Sequence, residues 1–247
     1  MIKIKGHSEF FIEYKFINNK HLILKSSNKE NANRLAKQMK KQKNMYDNNF
    51  LTNCLIPKIY KKEESENKVI YYMKFIKNSL NLIDFLSKEN TIKVDWLYNN
   101  IIKLINSYLA KCKYKKINSS ILINKLQSVR KNIESNSICI SKKFEIEKYL
   151  KYLETNREKI LDTNIPVGIC HGDLTFSNIL IDTNSMNLYL IDFLDSFIES
   201  PLFDIIKIRQ DTCFNWTVNM YNFSTDKNKI LLTFKYIDIK IDNYFNK

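Results

Sequence analysis

The sequence predicts an α+β fold with a strand-rich N-terminal part, residues 1–74, and a larger, mainly helical part, residues 75–247. Up to about residue 74, short runs rich in Ile, Phe, Tyr and Leu alternate with turn residues, which indicates strands. Beyond residue 80, apolar residues recur at the three-and-four spacing of amphipathic helices. Two short apolar runs around a polar turn at 182–187 then predict one β-hairpin inside the helical part.

Length and composition exclude several classes of protein. The chain has 247 residues, 44% hydrophobic and 13% aromatic, enough for a substantial core and too apolar for wholesale disorder. No apolar run approaches the ~20 residues that span a bilayer, and the N-terminus lacks the apolar segment of a signal peptide. Five cysteines without a CxxC pair, and three histidines, predict neither a zinc site nor a disulfide framework. We therefore expect a cytoplasmic protein without a membrane span.

The net charge of +14 raises the hypothesis of a nucleic-acid partner. However, the lysines are dispersed, and Lys, Asn and Ile are abundant together throughout, as expected of AT-rich coding. No RNA-binding aromatic motif or zinc finger accompanies them. We interpret most of the charge as solvated surface and expect no nucleic-acid partner; steeply salt-dependent binding of DNA or RNA would be the signature of the opposite.

The N-terminal part begins with three predicted antiparallel strands, which cover 2–5, 9–17 and 20–25. Asn18–Asn19 predicts a turn that tolerates positive φ. A helix over about 28–47 follows, with Asn28 as its candidate cap. Two further strands complete this small sheet, at 54–60 and 68–76.

The C-terminal part reads as a series of helices, predicted over 80–87, 94–111, 119–134 and 142–161. A last helix near the C-terminus carries an apolar stripe at helical spacing, formed by Ile230, Phe234, Ile237, Ile241 and Tyr244. Such a stripe is more typical of core packing than of a partner site. No internal repeat or proline-rich linker interrupts the series.

The residues with the clearest chemical pattern are His171–Asn178, HGDLTFSN, and Ile191–Phe193, IDF. The predicted hairpin begins next to Asn178 and ends next to Asp192, so these side chains should meet at one end of it, with Asp173 on the loop before. Carboxylate and carboxamide oxygens are suitable Mg²⁺ ligands, and a nearby carboxylate can accept a hydroxyl proton. Taken singly, each aspartate is more often a capping or solvated group. Their ordered occurrence favours a functional site.

This pattern resembles the catalytic and metal-binding segments of the aminoglycoside phosphotransferase and choline kinase family, relatives of the protein kinases. The resemblance implies a bilobal protein-kinase-like fold, with a nucleotide-binding N-terminal lobe and a catalytic, acceptor-binding C-terminal lobe. It implies that Asp173 is the catalytic base or the residue that orients the hydroxyl, and that Asn178 and Asp192 hold Mg²⁺. His171 would brace the loop.

The resemblance continues downstream of the hairpin. Asp195, Pro201 and Asp204 stand where the family has its D…GDPxxDLA pattern, which implies that Asp204 supports the catalytic loop. Glu199–Ser200 replaces the usual Gly–Asp, and this leaves the local turn open without changing an expected ligand.

The remaining residues implied by the resemblance contact ATP, or GTP as an alternative donor. They are Ser8 in the covering loop, Lys25 on the phosphates, Met73, Lys74 and Ile76 at the hinge between lobes, and Leu180 and Ile191 at the adenine. At the hinge, the Lys74 carbonyl and the Ile76 amide would pair with the adenine edge. A strand-end lysine in solvent and an ordinary buried strand are the alternative interpretations for Lys25 and for 68–76.

One departure from the family concerns the helix at about 28–47. In the family this helix carries a glutamate that pairs with the strand lysine. Here the corresponding region offers Gln38 and Gln42, with no acid between Glu30 and Asp47. Either the alignment is displaced or Lys25 is held differently.

The resemblance therefore implies an ATP- and Mg²⁺-dependent phosphotransferase acting on a small-molecule hydroxyl. The segment 193–201 is too short for the peptide platform of a protein kinase. A sugar or an amino alcohol such as choline or ethanolamine is favoured as the acceptor, in a role such as surface polysaccharide synthesis. The lysine-rich helical region disfavours a cationic aminoglycoside. The alternatives are an aminoglycoside-modifying kinase and a catalytically silent, nucleotide-binding pseudokinase scaffold.

Overall fold

The computed structural model describes residues 2–3, 10–161, 164–220 and 226–246. The strands are β1 Ile2–Lys3, β2 Phe11–Ile17, β3 Lys20–Ser26, β4 Cys54–Leu55, β5 Ile59–Ser65, β6 Lys68–Lys74, β7 Ser79–Asn81, β8 Lys113–Lys115, β9 Ile165–Val167, β10 Ile179–Asp182 and β11 Asn187–Leu190. The helices are α1 Ala32–Asn48, α2 Leu82–Lys88, α3 Thr91–Leu109, α4 Ser119–Glu134, α5 Ser137–Ser141, α6 Lys143–Thr155, α7 Arg157–Leu161, α8 Pro201–Phe214, α9 Trp216–Met220 and α10 Lys227–Phe245.

The N-terminal part is an antiparallel sheet in the order β1-β2-β3-β6-β5, packed against α1. Asn18 and Asn19 both have positive φ, 49° and 60°, which confirms the predicted turn between β2 and β3. The helix after β3 begins at Ala32 rather than at 28. The predicted cap is wrong because the Asn28 side chain accepts the Asn31 N–H at 3.0 Å, in a turn before the helix.

A second sheet has the order β4-β11-β10-β7, so the predicted hairpin forms its centre. The prediction of a single strand at 54–60 within the first sheet is wrong. Cys54–Leu55 instead pairs in parallel with β11, and only the later residues, from Ile59, join β6. The reason is burial, since Cys54 packs into the core of the C-terminal part.

That core is the largest in the molecule and surrounds the hairpin with α2, α3, α8 and α10. The stripe on α10 is core packing, as predicted: Ile230, Phe234, Ile237 and Ile241 are buried. Tyr244 is the exception, because it is 41% exposed and its hydroxyl accepts a hydrogen bond from the Asn106 side chain. Within the described ranges no helix is both long and apolar enough to cross a membrane.

The helices α4 to α7 have a small core of their own, formed by Leu126, Ile133 and Leu150. The predicted helix over 142–161 is divided at Asn156 into α6 and α7. Across this layer, the Arg130 guanidinium on α4 pairs with two glutamates of α6. The layer therefore forms an α-helical attachment beside the hairpin core.

Candidate active site

The loop His171–Asn178 lies between β9 and β10, and Asp204 in the first turn of α8 binds its backbone. Both carboxylate oxygens of Asp204 accept backbone N–H groups of this loop, from His171 at 2.7 Å and Gly172 at 2.8 Å. Complete burial raises the pKa of Asp204 to about 7, while the two N–H donors act in the opposite direction. Asp204 thus fixes the position of the backbone that carries Asp173.

Gly172 is required by geometry at this turn. Its φ is +88°, where only glycine is comfortable, and a Cβ would lie 1.8 Å from the Leu194 carbonyl oxygen. The backbone of the loop at Gly172 therefore packs directly against the backbone at Leu194, in the segment after β11. A hydrogen bond from Leu194 N to His171 O, 3.1 Å, joins them as well.

The His171 ring connects the same two segments. Its Nε2 lies 2.8 Å from the carbonyl oxygen of Ile191, and its Nδ1 accepts the Asp173 N–H at 3.2 Å. A carbonyl only accepts, so the proton is on Nε2 and the ring is neutral. Burial lowers the pKa of His171 to about 4. The His171 ring packs against the Phe193 ring, with centroids 4.3 Å apart and planes inclined by 34°.

Asp173 projects from this loop with its carboxylate partly exposed. Asn178 Nδ2 donates to the Asp173 carbonyl at 2.8 Å and to its Oδ2 at 3.2 Å. The other carboxylate oxygen, Oδ1, lies 3.1 Å from the ammonium of Lys207 on α8. Asp173 is therefore held between a carboxamide and a cation.

Asn178 and Asp192 meet at one end of the hairpin, as the strand pattern predicts. The Asn178 carbonyl accepts the N–H of Ile191 at 3.0 Å, and Ile179 is paired with Leu190. Asp192 has φ +62°, an uncommon conformation for a non-glycine residue. The backbone therefore leaves the extended strand conformation at Asp192, just after the end of β11.

Lys25 crosses from the N-terminal sheet to reach Asp192. Its side chain is fully buried, and Nζ lies 2.7 Å from Asp192 Oδ1 and 3.1 Å from Gln38 Oε1. The Phe10 ring covers the ammonium at 4.8 Å. Gln38 thus occupies the place of the absent helix glutamate, and Asp192 supplies the negative charge. Gln42 instead donates to the Pro57 carbonyl.

The donors at Asn178 and Asp192 fit a magnesium ion. Asn178 donates its Nδ2 to Asp173, so its carboxamide oxygen can bind a metal ion. Asp192 accepts from Lys25 with one carboxylate oxygen, so its second oxygen can bind the same ion. Mg²⁺ is usually held by one or two such hard oxygens, with waters and phosphate oxygens completing its shell. Among the described residues, no group of three His, Cys, Asp or Glu side chains forms a closed metal cage.

The residues expected at the hinge follow β6. Met73 is buried in the N-terminal core, where its Sδ lies 3.6 Å from Gln42 Nε2. Lys74 and Ile76 border a cavity of about 330 Å³ together with Tyr189. Met73 does not line that cavity, and the contacts of the three hinge residues with a nucleotide remain predictions.

The residues expected at the adenine face lie on the hairpin. Leu180 on β10 and Ile191, just after β11, are half-buried. Neither borders the cavity beside Lys74. Ser8 lies outside the described residues. The nucleotide contacts of these side chains remain predictions.

Three polar side chains at the site, those of Lys207, Lys41 and Ser200, make contacts that were not expected from the sequence. Lys207 on Asp173 follows from its place one turn after Asp204 on α8, a spacing visible in the sequence. Lys41 of α1 reaches Glu199 at 2.6 Å and the Leu194 carbonyl at 2.8 Å. Ser200 caps α8 through the Leu202 N–H, 3.3 Å. Glu199–Ser200 therefore forms an ordered turn although it replaces Gly–Asp.

Asp211 on α8 fixes the end of the loop. Its oxygens accept the N–H of Phe176 at 2.5 Å and of Thr217 at 2.8 Å. Burial raises the pKa of this carboxyl above its usual value.

Residues 141–222, which include every loop residue above, match the sequence model of the phosphotransferase enzyme family. The whole chain superposes on the aminoglycoside phosphotransferase APH(4)-Ia, seen in the crystal structure of a thermostable mutant as a ternary complex with ADP and hygromycin B. That match has a TM-score of 0.67 and 11% identity, and it covers 100% of this chain and 78% of the other.

At this identity the structural match establishes the fold. The predicted bilobal, kinase-like α+β fold is confirmed, as is the resemblance to aminoglycoside phosphotransferases. A search of curated proteins finds no match to the sequence.

Proposed function

We propose that this chain, whose residues 141–222 match the phosphotransferase enzyme family, transfers the γ-phosphoryl group of ATP to a hydroxyl of a small molecule. The observation that carries the proposal is the separation of two aspartates around Asn178. Asp173 bonds Asn178 within one loop, whereas Asp192 bonds the buried Lys25 from the other lobe. One carboxylate is thus available for a hydroxyl and the other for a metal–nucleotide complex.

In the proposed reaction, Asp173 positions the acceptor hydroxyl and takes its proton. The acceptor oxygen attacks the γ-phosphorus, and the bond from that phosphorus to the β,γ-bridging oxygen breaks. ADP leaves with the electron pair, and the proton rests on the Asp173 carboxylate. The transition state of phosphoryl transfer is loose, so Asp173 contributes mainly by orientation and by accepting the proton late.

Asn178 and Asp192 would hold Mg²⁺, which when bound neutralises charge on the β- and γ-phosphates. Lys25 already lies on Asp192, and its ammonium has no second carboxylate among the described residues. The phosphate oxygens of a bound triphosphate could therefore pair with the Lys25 ammonium alongside Asp192. Gln38 keeps the ammonium directed without adding a competing negative charge.

The acceptor we favour is a sugar or an amino alcohol. A second candidate, an aminoglycoside, is supported by the structural match to APH(4)-Ia, whose crystal contains hygromycin B. Both fit the same chemistry, since each presents a hydroxyl to the base.

The test is a screen for stimulated turnover of ATP and of GTP, with sugars, choline, ethanolamine and aminoglycosides as acceptors. We expect at least one class to be phosphorylated in wild type and none in Asp192→Ala. Binding of Mg–ATP without transfer to any acceptor would instead support the silent, nucleotide-binding scaffold.

A further inference from the structure

We propose that Lys207 recognises an anionic group of the acceptor, so that the substrate carries a carboxylate or phosphate near its reacting hydroxyl. This inference rests on the proposed phosphotransferase function and narrows its acceptor class. Its starting point is the 3.1 Å contact between Lys207 Nζ and Asp173 Oδ1, in which the side chains are 35% and 29% exposed.

The contact occupies the atom that the acceptor needs. Asp173 Oδ2 already accepts from Asn178, so Oδ1 is the oxygen left for a hydroxyl, and Lys207 lies on it. An arriving hydroxyl therefore weakens the Lys207–Asp173 pair. The Lys207 ammonium is 35% exposed, so it can exchange Asp173 for water or for another anion. An acidic group on the acceptor itself would replace Asp173 from the same direction.

Besides Asp173, the residues near Lys207 connect it with α4. Phe203 precedes Lys207 by one turn on α8, so the two side chains are neighbours. The Phe203 ring packs edge-on against Phe197 at 4.7 Å, and the Lys125 ammonium of α4 lies 5.7 Å from the Phe197 ring. None of these contacts involves Asp192. We call Lys207, Phe203, Phe197 and Lys125 the acceptor row.

The composition of the acceptor row favours an anion with a ring or carbon skeleton. Lys125 lies over the Phe197 ring, Lys207 is one turn from Phe203 on α8, and Phe197 is 41% exposed. A choline, ethanolamine or aminoglycoside cation would meet two ammonium groups there, of which that of Lys207 is paired with Asp173. Asp211, one turn after Lys207, does not offset them, because it is buried and committed to two backbone N–H groups. Among the acceptors proposed above, the inference therefore favours anionic sugars over cationic amino alcohols.

The competing explanation is that Lys207 serves the transferred γ-phosphoryl group. Substrate selectivity separates the two. A lysine that binds the acceptor's own anion changes KM for anionic acceptors only. A lysine that binds the γ-phosphoryl changes kcat for every acceptor alike.

The experiment compares matched acceptors that differ in charge: glucose with glucuronate for the carboxylate arm, glucose with glucose 6-phosphate for the phosphate arm, and ethanolamine with serine for a smaller skeleton. Steady-state kinetics are measured for wild type, Lys207→Gln and Lys207→Arg. Lys235→Gln, an exposed lysine on α10, is the matched control. Melting temperatures with Mg²⁺, a non-hydrolysable ATP analogue and each acceptor are recorded in parallel.

We expect an anionic member of a pair to be the better substrate. Lys207→Gln should raise its KM on the order of 10- to 100-fold, the worth of a charged hydrogen bond, and leave KM for ATP unchanged. Lys207→Arg should retain most of the selectivity, and Lys235→Gln all of it. Preference for neutral or cationic acceptors, or an equal fall of kcat for both members of a pair, overturns the inference.

Failure of the proposed function has a different signature. In that case no acceptor is phosphorylated, whether or not the wild type binds Mg–ATP. The melting temperatures still test whether Lys207 binds an anionic acceptor. If no anionic compound stabilises the wild type, or if one stabilises Lys207→Gln equally well, the inference is wrong whatever the chemistry of the site.

Discussion

The two aspartates of the candidate site are each paired with one lysine, and the two lysines differ in burial. Lys25 is fully buried beside Asp192, whereas Lys207 is 35% exposed beside Asp173. A buried ammonium needs a permanent anion because water cannot solvate it, while a half-exposed one can exchange its partner for water or a ligand. The Asp192 pair therefore belongs to the framework of the fold, and the Asp173 pair is replaceable.

The largest expected effect follows from breaking the buried pair. Asp192→Ala should abolish turnover and weaken Mg–ATP binding. It should also lower the free energy of unfolding by about 3–5 kcal/mol, because Lys25 is left as an uncompensated buried charge. Calorimetric titration and urea unfolding measure the two effects.

The matched control for this substitution is Asp195→Ala, since Asp195 is exposed and its ammonium partner, on Lys37, is 4.0 Å away. We expect wild-type stability from it. Near-normal kinetics in Asp192→Ala would remove the metal assignment, and unchanged stability would remove the argument from burial.

The exposed pair should respond in a different way. Asp173→Asn keeps the shape of the side chain and loses the proton acceptor, so kcat should fall on the order of 10²–10⁴-fold. Mg–ATP affinity should stay near normal, and the stability change should be within about 1 kcal/mol because the pair is solvated. If the variant loses nucleotide affinity as severely as Asp192→Ala, Asp173 is a metal ligand and the division of roles is wrong.

A smaller effect tests how the buried lysine is directed. Lys25→Ala should lower kcat/KM for ATP by about 10²-fold, the usual cost of removing one charge-stabilising donor. Gln38→Ala should be milder, since the neutral Gln38 directs the ammonium without balancing its charge. Gln42→Ala is its control in the same helix, because Gln42 is buried without touching Lys25. A larger kinetic loss from Gln42→Ala than from Gln38→Ala would contradict this arrangement.

Much of the fold could be predicted because local patterns decide it. The helix over 119–134 matches α4, and the Asn18–Asn19 turn has the positive φ that its residues tolerate. The errors arose where distant partners decide. Leu55 joins a strand far along the chain at Tyr189, and no local pattern near Leu55 indicates that pairing.

The same distinction holds at the site. The sequence predicts that Asn178 and Asp192 meet, because one hairpin carries both. It could not predict what holds Lys25, since Asp192 is 167 residues away and Gln38 reaches the ammonium through the packing of α1 on the sheet. Lys207 was missed although its spacing from Asp204 is visible in the sequence, because no helix was predicted over 201–214.

The smallest expected effect concerns His171, which contacts the segments of both aspartates, through Asp173 N and Ile191 O. Burial lowers its folded-state pKa to about 4, below the usual value of about 6.5. The unfolded chain then binds more protons between these values, so His171 contributes stability above pH 6.5 that is lost as pH falls toward 4. Asp204, whose pKa is raised to about 7, acts in the opposite direction over the same range.

A difference between variants isolates the histidine, because Asp204 is present in both. His171→Gln keeps a donor for Ile191 O and an acceptor for Asp173 N but cannot titrate. Between pH 7 and pH 5, wild type should lose about 2 kcal/mol more unfolding free energy than His171→Gln, measured by urea titration at each pH. Equal losses would mean that the folded protein admits a proton at His171. The neutral ring would then not be what joins the Asp173 loop to the Asp192 strand.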